Sequence, residues 1–235
     1  MNQFFAEFFG TAMIMVFGSG VVSNVILKKT KGNNSGWIVI SFGWAVGVFT
    51  GVLIAADVSG AHLNPAVTLA LVIAGKFSVS LMPLYVSAQL LGAMFGSGLA
   101  WLAYKKHFDA TDDADAKLAV FCTAPNIRNY WYNIATEVIG TYVLALAVLF
   151  MAVPDKGLGA LNALPVAIVV LGIGLALGGP TGYAINPARD LGPRIMHFIL
   201  PIHNKRDSDW KYSWVPIVGP LAGASLAAAM FLIFH

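Results

Sequence analysis

The chain has 235 residues, of which 58% are hydrophobic and 11% are charged, and its formal net charge is +3. Soluble domains carry roughly 25% charged residues, so this composition excludes an ordinary soluble domain and indicates a helical membrane protein. The Lys and Arg residues are scattered among loops rather than clustered in a stripe with aromatics, which argues against nucleic acid as a partner.

Apolar runs separated by polar, turn-rich segments predict six transmembrane helices. They cover about 4–27, 36–56, 81–104, 130–152, 161–179 and 212–234. Two further apolar segments, at about 65–75 and 187–198, each begin with Pro and are too short to cross a bilayer. The fold class is therefore an all-α membrane protein with six transmembrane helices and two re-entrant half-helices.

An internal repeat fixes how these elements are arranged. The sequence AEFFGT at 6–11 recurs as TEVIGT at 136–141, and SGAHLNPA at 59–66 recurs as TGYAINPA at 181–188. Each half holds an odd number of spans, so the second half must be inverted relative to the first. We predict one domain over 1–235, with a first repeat at about 1–105, a linker at about 106–129 and a second repeat at about 130–235.

Each short segment begins with the sequence Asn-Pro-Ala. The two copies are Asn64-Pro65-Ala66 and Asn186-Pro187-Ala188. Asn caps the free backbone N–H groups of a helix, and Pro is suited to its first position, where no N–H is required. Inside a membrane such a helix start must line a cavity or pack on protein. Two half-helices entering from opposite faces would bring their positive dipole ends together, which disfavours cations and protons.

The segments just before the two motifs are predicted to be extended, with carbonyl oxygens free to accept hydrogen bonds. The expected carbonyl track consists of Gly60, Ala61, His62 and Leu63 in the first copy and Gly182, Tyr183 and Ala184 in the second. Glu7 and Glu137 occupy matched positions at membrane depth, where each carboxylate requires a partner.

Two side chains stand out inside the predicted spans. Arg189 follows the second motif in an apolar element, and it must face water or a partner because burying it in lipid is costly. Trp44 lies about two turns inside the second span, whereas the other Trp residues lie near span ends, as interface belts prefer.

With both motifs intact, the chain resembles the aquaporin superfamily (major intrinsic protein) over essentially its whole length. Asp190, Arg194 and Pro216-Ile217 resemble the aquaglyceroporin, or glycerol uptake facilitator, branch. The resemblance implies a channel in the cell membrane that assembles as a homotetramer, without a cofactor. It also implies that Glu7 and Glu137 accept hydrogen bonds from the loops, and that the selectivity filter consists of Trp44, Gly174, Tyr183 and Arg189.

The expected filter favours a small polyol. Water-selective members carry His at the fifth-span position, and this chain has no His between His107 and His197. Gly174 instead leaves room for Tyr183, where the glycerol channels usually have Phe, and the added hydroxyl would narrow or polarise the slot. Glycerol, dihydroxyacetone, undissociated lactic acid, urea and water all remain candidate solutes.

The charge distribution conflicts with the orientation that the resemblance implies. Lys76 and Lys156 lie on the side of the even-numbered loops, and the other 12 of the 14 Lys and Arg residues lie on the side of the first, third and fifth loops. The positive-inside tendency therefore predicts an extracellular N-terminus, whereas the resemblance implies a cytoplasmic one.

Two other functions fit parts of the sequence. Inverted repeats with broken helices also occur in secondary transporters, but this chain has few membrane-depth charges for coupling. A membrane enzyme would need an acid–base pair, for which Asp57 and His62 are the candidates. Neither a metal-ligand spacing nor a nucleophile beside a base is present in the sequence, and the single Cys122 excludes an intramolecular disulfide.

Overall fold

A computed structural model describes residues 1–151 and 159–234 of the chain, and the regular elements within them are helices. Residue 152 of the predicted fourth span and Lys156 lie outside this part. The helices are α1 (Gln3–Ile26), α2 (Trp37–Ser59), α3 (Pro65–Ile73), α4 (Met82–Ala110), α5 (Ala114–Ala119), α6 (Tyr130–Phe150), α7 (Leu164–Leu177), α8 (Pro187–Ile199) and α9 (Val215–Phe234). Short 3-10 turns, Val79–Leu81 and Gly159–Ala163, precede α4 and α7.

The predicted spans correspond to α1, α2, α4, α6, α7 and α9, and the predicted half-helices to α3 and α8. Helices α1, α2, α6 and α9, and α4 with its preceding turn, are long and apolar enough to cross a membrane. Helix α7 has 14 residues and is shorter than the predicted 161–179. Pro165 lies in its first turn, and Gly178, Gly179 and Pro180 follow its end, so neither end favours a longer helix.

The predicted linker contains more helix than its polar composition indicated. Helix α4 runs to Ala110, past the predicted end at 104, and Lys105 forms an i,i+4 ion pair with Asp109 in its last turn. Helix α5 lies wholly within the linker, where Asp113 caps its first turn by accepting from two backbone N–H groups. Local charge pairing and capping thus contribute to helical structure in the linker, where the apolar side chains of Phe108 and Leu118 are buried.

The two halves of the chain are interlocked. Helix α1 packs against α2 and α4, and α6 packs against α7 and α9. The half-helices cross between the halves, because α3 packs on α9 while α8 packs on α4. The membrane face on which α1 begins is called the N-terminal face below, and the face on which it ends is called the opposite face.

Glycines allow the helix backbones to approach closely where each half is packed most tightly. A Cβ atom at Gly92 or Gly96 of α4 would lie 2.2 Å from a backbone oxygen of α1. One at Gly223 of α9 would lie 2.4 Å from the carbonyl oxygen of Val138 in α6. Small residues at such contacts are typical of helix packing in membranes, where van der Waals contact between backbones stabilises the association.

We expect Gly96→Ala to lower the thermal unfolding midpoint of the purified protein, because the added methyl group would force α1 and α4 apart. Overpacking of this kind costs about 1–3 kcal/mol. Gly172→Ala is the matched control, since a Cβ atom there meets no heavy atom within 4 Å. Equal midpoints for the two variants would show that close α1–α4 packing does not stabilise the fold.

Candidate functional site

The N-termini of the two half-helices meet and are fastened to each other. The Asn64 side-chain N–H donates to the carbonyl oxygen of Ile185 at 2.8 Å, and the Asn186 side-chain N–H donates to that of Leu63 at 2.9 Å. Each Asn also caps its own helix, since its Oδ1 accepts from the backbone N–H of Ala66 or Ala188, respectively. Each side-chain amide has two N–H donors, so one remains beyond the bond to the opposite loop.

A cavity of about 270 Å³ lies between the halves and is lined by both loops and both Asn side chains. Towards the opposite face it is lined by Trp44, Tyr183 and Arg189. On the side of the N-terminal face the lining includes His62, Met151 and Asn162. Between them the wall is mostly aliphatic, with residues such as Val48, Val52, Leu144, Val148 and Val170.

The loops before the half-helices are not extended, so that prediction was wrong. Positive φ angles occur at Gly60, Ala61, Leu63, Gly182, Tyr183 and Ile185. This left-handed conformation costs roughly 1–2 kcal/mol for each residue other than Gly, so other contacts must stabilise it.

The two buried glutamates supply those contacts. The carboxylate of Glu7 accepts from the backbone N–H groups of His62 at 2.9 Å and Leu63 at 2.7 Å. In the second half, the carboxylate of Glu137 accepts from the N–H groups of Ala184 at 3.0 Å and Ile185 at 2.9 Å. Hydroxyl groups of Ser59 and Thr181 complete the matched arrangement. The glutamates therefore hold each loop through its N–H groups, whereas the carbonyl groups of Leu63 and Ile185 accept from the Asn side chains of the opposite half.

The expected carbonyl track falls into three groups. Gly60, Ala61, His62, Tyr183 and Ala184 line the cavity, and their carbonyl oxygens accept no hydrogen bond from residues 1–151 or 159–234. Leu63 also lines the cavity, but its carbonyl oxygen accepts from Asn186. Gly182 lies outside the lining.

Of the four expected filter residues, Trp44, Tyr183 and Arg189 line the cavity, whereas Gly174 lies outside its lining, next to Tyr183. The guanidinium of Arg189 lies 4.0 Å from the ring centroid of Trp44, within the range of a cation–π interaction. A Cβ atom at Gly174 would lie 2.9 Å from the hydroxyl oxygen of Tyr183. That hydroxyl is buried, so Tyr183 does not narrow the cavity as its extra oxygen suggested.

A buried ion pair supports the helix that carries Arg189. Asp190 accepts from Arg194 at 2.7 Å, and both side chains are almost fully buried. Asp190 also accepts from the backbone N–H of Thr123, while Arg194 donates to the carbonyl oxygens of Thr123 and Ser208. The pair therefore joins α8 to the segments that precede α6 and α9. The same two segments are also joined by Arg128, before α6, and Asp209, before α9. The hydrogen bond between them raises the pKa of the Arg128 guanidinium.

The residues proposed for an enzyme are not arranged as a catalytic pair. Asp57 is exposed on α2, whereas the ring of His62 is paired with the hydroxyl of Thr68 at 3.1 Å. Within the described part of the chain, no group of three or more His, Cys, Asp or Glu residues could hold a metal ion.

Comparison with known families identifies the chain. A family model described as Major intrinsic protein matches residues 1–231. The chain belongs to the major intrinsic protein family. The resemblance to the aquaporin superfamily is thereby confirmed, as are the helical membrane fold and the multi-pass location in the cell membrane.

Relatives of this major intrinsic protein carry names that refer to small solutes. A protein of Thermotoga maritima named "Probable glycerol uptake facilitator protein" is 54% identical over 231 residues, which are 98% of each chain. A "D/L-lactic acid transporter" of Lactiplantibacillus plantarum is 40% identical over 232 residues, covering 97% of this chain and 95% of that one. The structure of the aquaglyceroporin from Plasmodium falciparum matches with a TM-score of 0.86 at 32% identity, over 97% of this chain and 94% of that one.

Sequence reasoning missed several residues that shape the site of this major intrinsic protein. A Cβ atom at Gly18 would lie 2.2 Å from the Trp44 ring, so this glycine provides the space for it. Trp37, interpreted as part of an interface belt, donates from its indole N–H to the carbonyl oxygen of Gly174 at 2.8 Å. Asn162 lines the cavity but belongs to no motif. The i,i+4 spacing of Asp190 and Arg194 was the one signal that could have revealed their ion pair.

We expect Glu137→Gln to lower both the thermal unfolding midpoint and solute flux in proteoliposomes. The amide replaces one acceptor oxygen by a donor, which leaves a buried N–H of Ala184 or Ile185 unpaired at a cost of about 1–3 kcal/mol. Asp57→Asn is the matched control, because Asp57 is exposed on α2. If both variants behave like the parent protein, the glutamate does not hold the loop.

Proposed function

We propose that this protein is a passive channel for small uncharged polyols, glycerol first among them, and for water. The observation that carries the proposal is the two-sided cavity. The guanidinium of Arg189 and the loop carbonyl groups, which have no donor among the described residues, offer hydrogen bonds, whereas Trp44 and the Tyr183 ring offer an apolar surface. A carbon chain with hydroxyl groups along one edge matches both surfaces, and the relatives' names agree with such a solute.

In this proposal Trp44, Gly174, Tyr183 and Arg189 form the selectivity filter. Arg189 donates hydrogen bonds to the solute, and its contact with Trp44 helps to hold the guanidinium in place. Gly174 acts indirectly. Because it has no side chain, the hydroxyl group of Tyr183 can lie against it and stay out of the cavity. With its hydroxyl buried there, Tyr183 presents the same apolar ring that Phe would.

Exclusion of protons and ions is proposed to reside at the Asn-Pro-Ala motifs and at Arg189. Two helix N-termini and a guanidinium place positive potential along one short passage. The remaining N–H of each Asn side chain would donate to a passing hydroxyl or water, which interrupts a chain of waters that could carry a proton. Neutral solutes experience no comparable barrier.

Undissociated lactic acid is a second candidate solute, supported by the relative named as a lactic acid transporter. Coupled transport and enzymatic activity are not proposed. Within the described residues, the buried Glu7, Glu137, Asp190 and Arg194 all have hydrogen-bond partners that fix structure. These contacts give the four groups a structural role in holding the two loops and α8.

We further propose that the protein is a homotetramer with one pore in each subunit and a cytoplasmic N-terminus. Both statements rest on membership of the aquaporin superfamily. Light scattering of the purified protein, corrected for bound detergent, should give four times the mass of 24.9 kDa.

The function is tested by stopped-flow measurements on proteoliposomes with gradients of glycerol, dihydroxyacetone, urea, lactic acid or water. We expect glycerol flux that rises linearly with the gradient, ends when the gradient is lost and is independent of a proton gradient. Saturable flux that accumulates solute would instead indicate a transporter. A protein that passes water alone would contradict the polyol proposal.

Arg189→Val should admit protons or small cations while glycerol flux continues, because the substitution removes the positive charge and widens the passage. The measurement is internal pH in dye-loaded proteoliposomes, recorded alongside glycerol flux. Lys211→Gln is the control, since Lys211 is an exposed cation in a loop outside the cavity. An ion barrier that survives in Arg189→Val would show that Arg189 is not part of it.

A further inference from the structure

A second cavity lies on the outer surface of the helices, away from the pore. It is a groove of about 560 Å³ along α1, open to the side and lined by residues of α1, α2 and α4. Its wall is almost wholly apolar, with Phe17, Val46 and Leu99 among the exposed members. A Cβ atom at Gly20, which also lines it, would meet no heavy atom within 4 Å. The groove thus has the volume and the apolar lining to receive a hydrocarbon chain.

The groove ends at the opposite face, beside a group of lysines. Its polar lining residues are Asn24, near the end of α1, and Tyr104, near the end of α4. The nearby cationic residues are Lys28, Lys29, Lys31, Lys105 and Lys106, called the lysine cluster below.

Hydrogen bonds hold the lysine cluster at the end of the groove. The side-chain oxygen of Asn24 accepts from the backbone N–H of Gly32 at 3.1 Å, and its carbonyl oxygen accepts from the hydroxyl of Thr30. These bonds fasten the loop that carries Lys29 and Lys31. The ring of His107 is paired with the carbonyl oxygen of Lys28 at 3.1 Å, which joins the end of α4 to the same loop.

The lysine cluster has more positive charge than its acidic neighbours neutralise. Lys105 is paired with Asp109, and Lys28 lies 3.5 Å from Asp112. Lys29, Lys31 and Lys106 are exposed, and none of them forms a salt bridge with any residue that the structure describes. Lysines at a membrane surface attract anionic lipid headgroups, and each is worth about fivefold in affinity.

We propose that the groove and the lysine cluster together bind an anionic phospholipid. One acyl chain lies in the groove along α1, and the phosphate of the headgroup is held by Lys29, Lys31 and Lys106. Charge complementarity selects this occupant, because a zwitterionic lipid would fill the groove equally well but would gain little from the cluster.

The test uses the full-length protein, delipidated in detergent, and native mass spectrometry during titration with phosphatidylglycerol or phosphatidylcholine of identical acyl chains. We expect tighter binding of phosphatidylglycerol. Lys106→Gln should weaken that binding about fivefold and leave phosphatidylcholine unchanged. Lys211→Gln should affect neither lipid, because Lys211 lies in the segment between α8 and α9.

A second variant tests the groove itself. Gly20→Leu should reduce binding of both lipids, because its side chain fills the groove, whereas Gly172→Leu on α7 should not. Glycerol 3-phosphate, an anion without acyl chains, should fail to displace the bound lipid. Equal affinities for the two lipids in the parent protein would overturn the proposal. A change of oligomeric state in delipidated Gly20→Leu would also overturn it, by showing that another copy of the chain occupies the groove.

Discussion

The structure depends on the reciprocal hydrogen bonds between the two half-helix starts. Asn64 and Asn186 each cap their own helix and donate to the loop that precedes the other. A helix end at membrane depth carries unpaired N–H groups that lipid cannot satisfy. The Oδ1 of each Asn pairs with N–H groups of its own helix, and the reciprocal bonds of the side-chain N–H groups require the two halves to be inverted and in contact.

The conformation of the loops follows from that junction. To reach the junction, each loop adopts left-handed backbone angles, and a buried glutamate compensates by accepting from two loop N–H groups. Because the N–H groups face the glutamates, the carbonyl groups of Gly60, Ala61, His62, Tyr183 and Ala184 stay available at the cavity. The interaction that stabilises each loop therefore also creates the acceptors proposed to bind solute.

The sequence was sufficient to predict those elements whose signal lies in a short stretch of residues. Asn-Pro at a helix start specifies a cap and a first turn, and repeated motifs specify an inverted arrangement, so α3, α8 and the long spans were all predictable. Contacts between residues that are far apart along the chain were not predictable. Examples are the contact of Asn64 with Ile185 and that of Gly18 with Trp44. Gly18 in particular has no signal in a single sequence, since a glycine in an apolar span can serve any close contact. The division of the chain at a linker of about 106–129 stays a prediction.

The left-handed loops show a different limit. Ala61, Leu63 and Tyr183 are residues that seldom adopt positive φ, so local propensity favoured an extended chain. Tertiary hydrogen bonds to Glu7 and Glu137 overcame that preference. Similarly, the hydroxyl group of Tyr183 suggested a narrower filter. In the structure this hydroxyl is buried against Gly174, outside the cavity.

The central claim is that one wall of the cavity binds hydroxyl groups while the other contacts carbon. An experimental structure determined with glycerol in the pore tests this most directly. We predict glycerol hydroxyl groups within hydrogen-bond distance of Arg189 and the loop carbonyl oxygens, with its carbon atoms against Trp44 and the Tyr183 ring. Glycerol bound with its hydroxyl groups towards Trp44, or absent from a cavity that holds only water, would contradict the account.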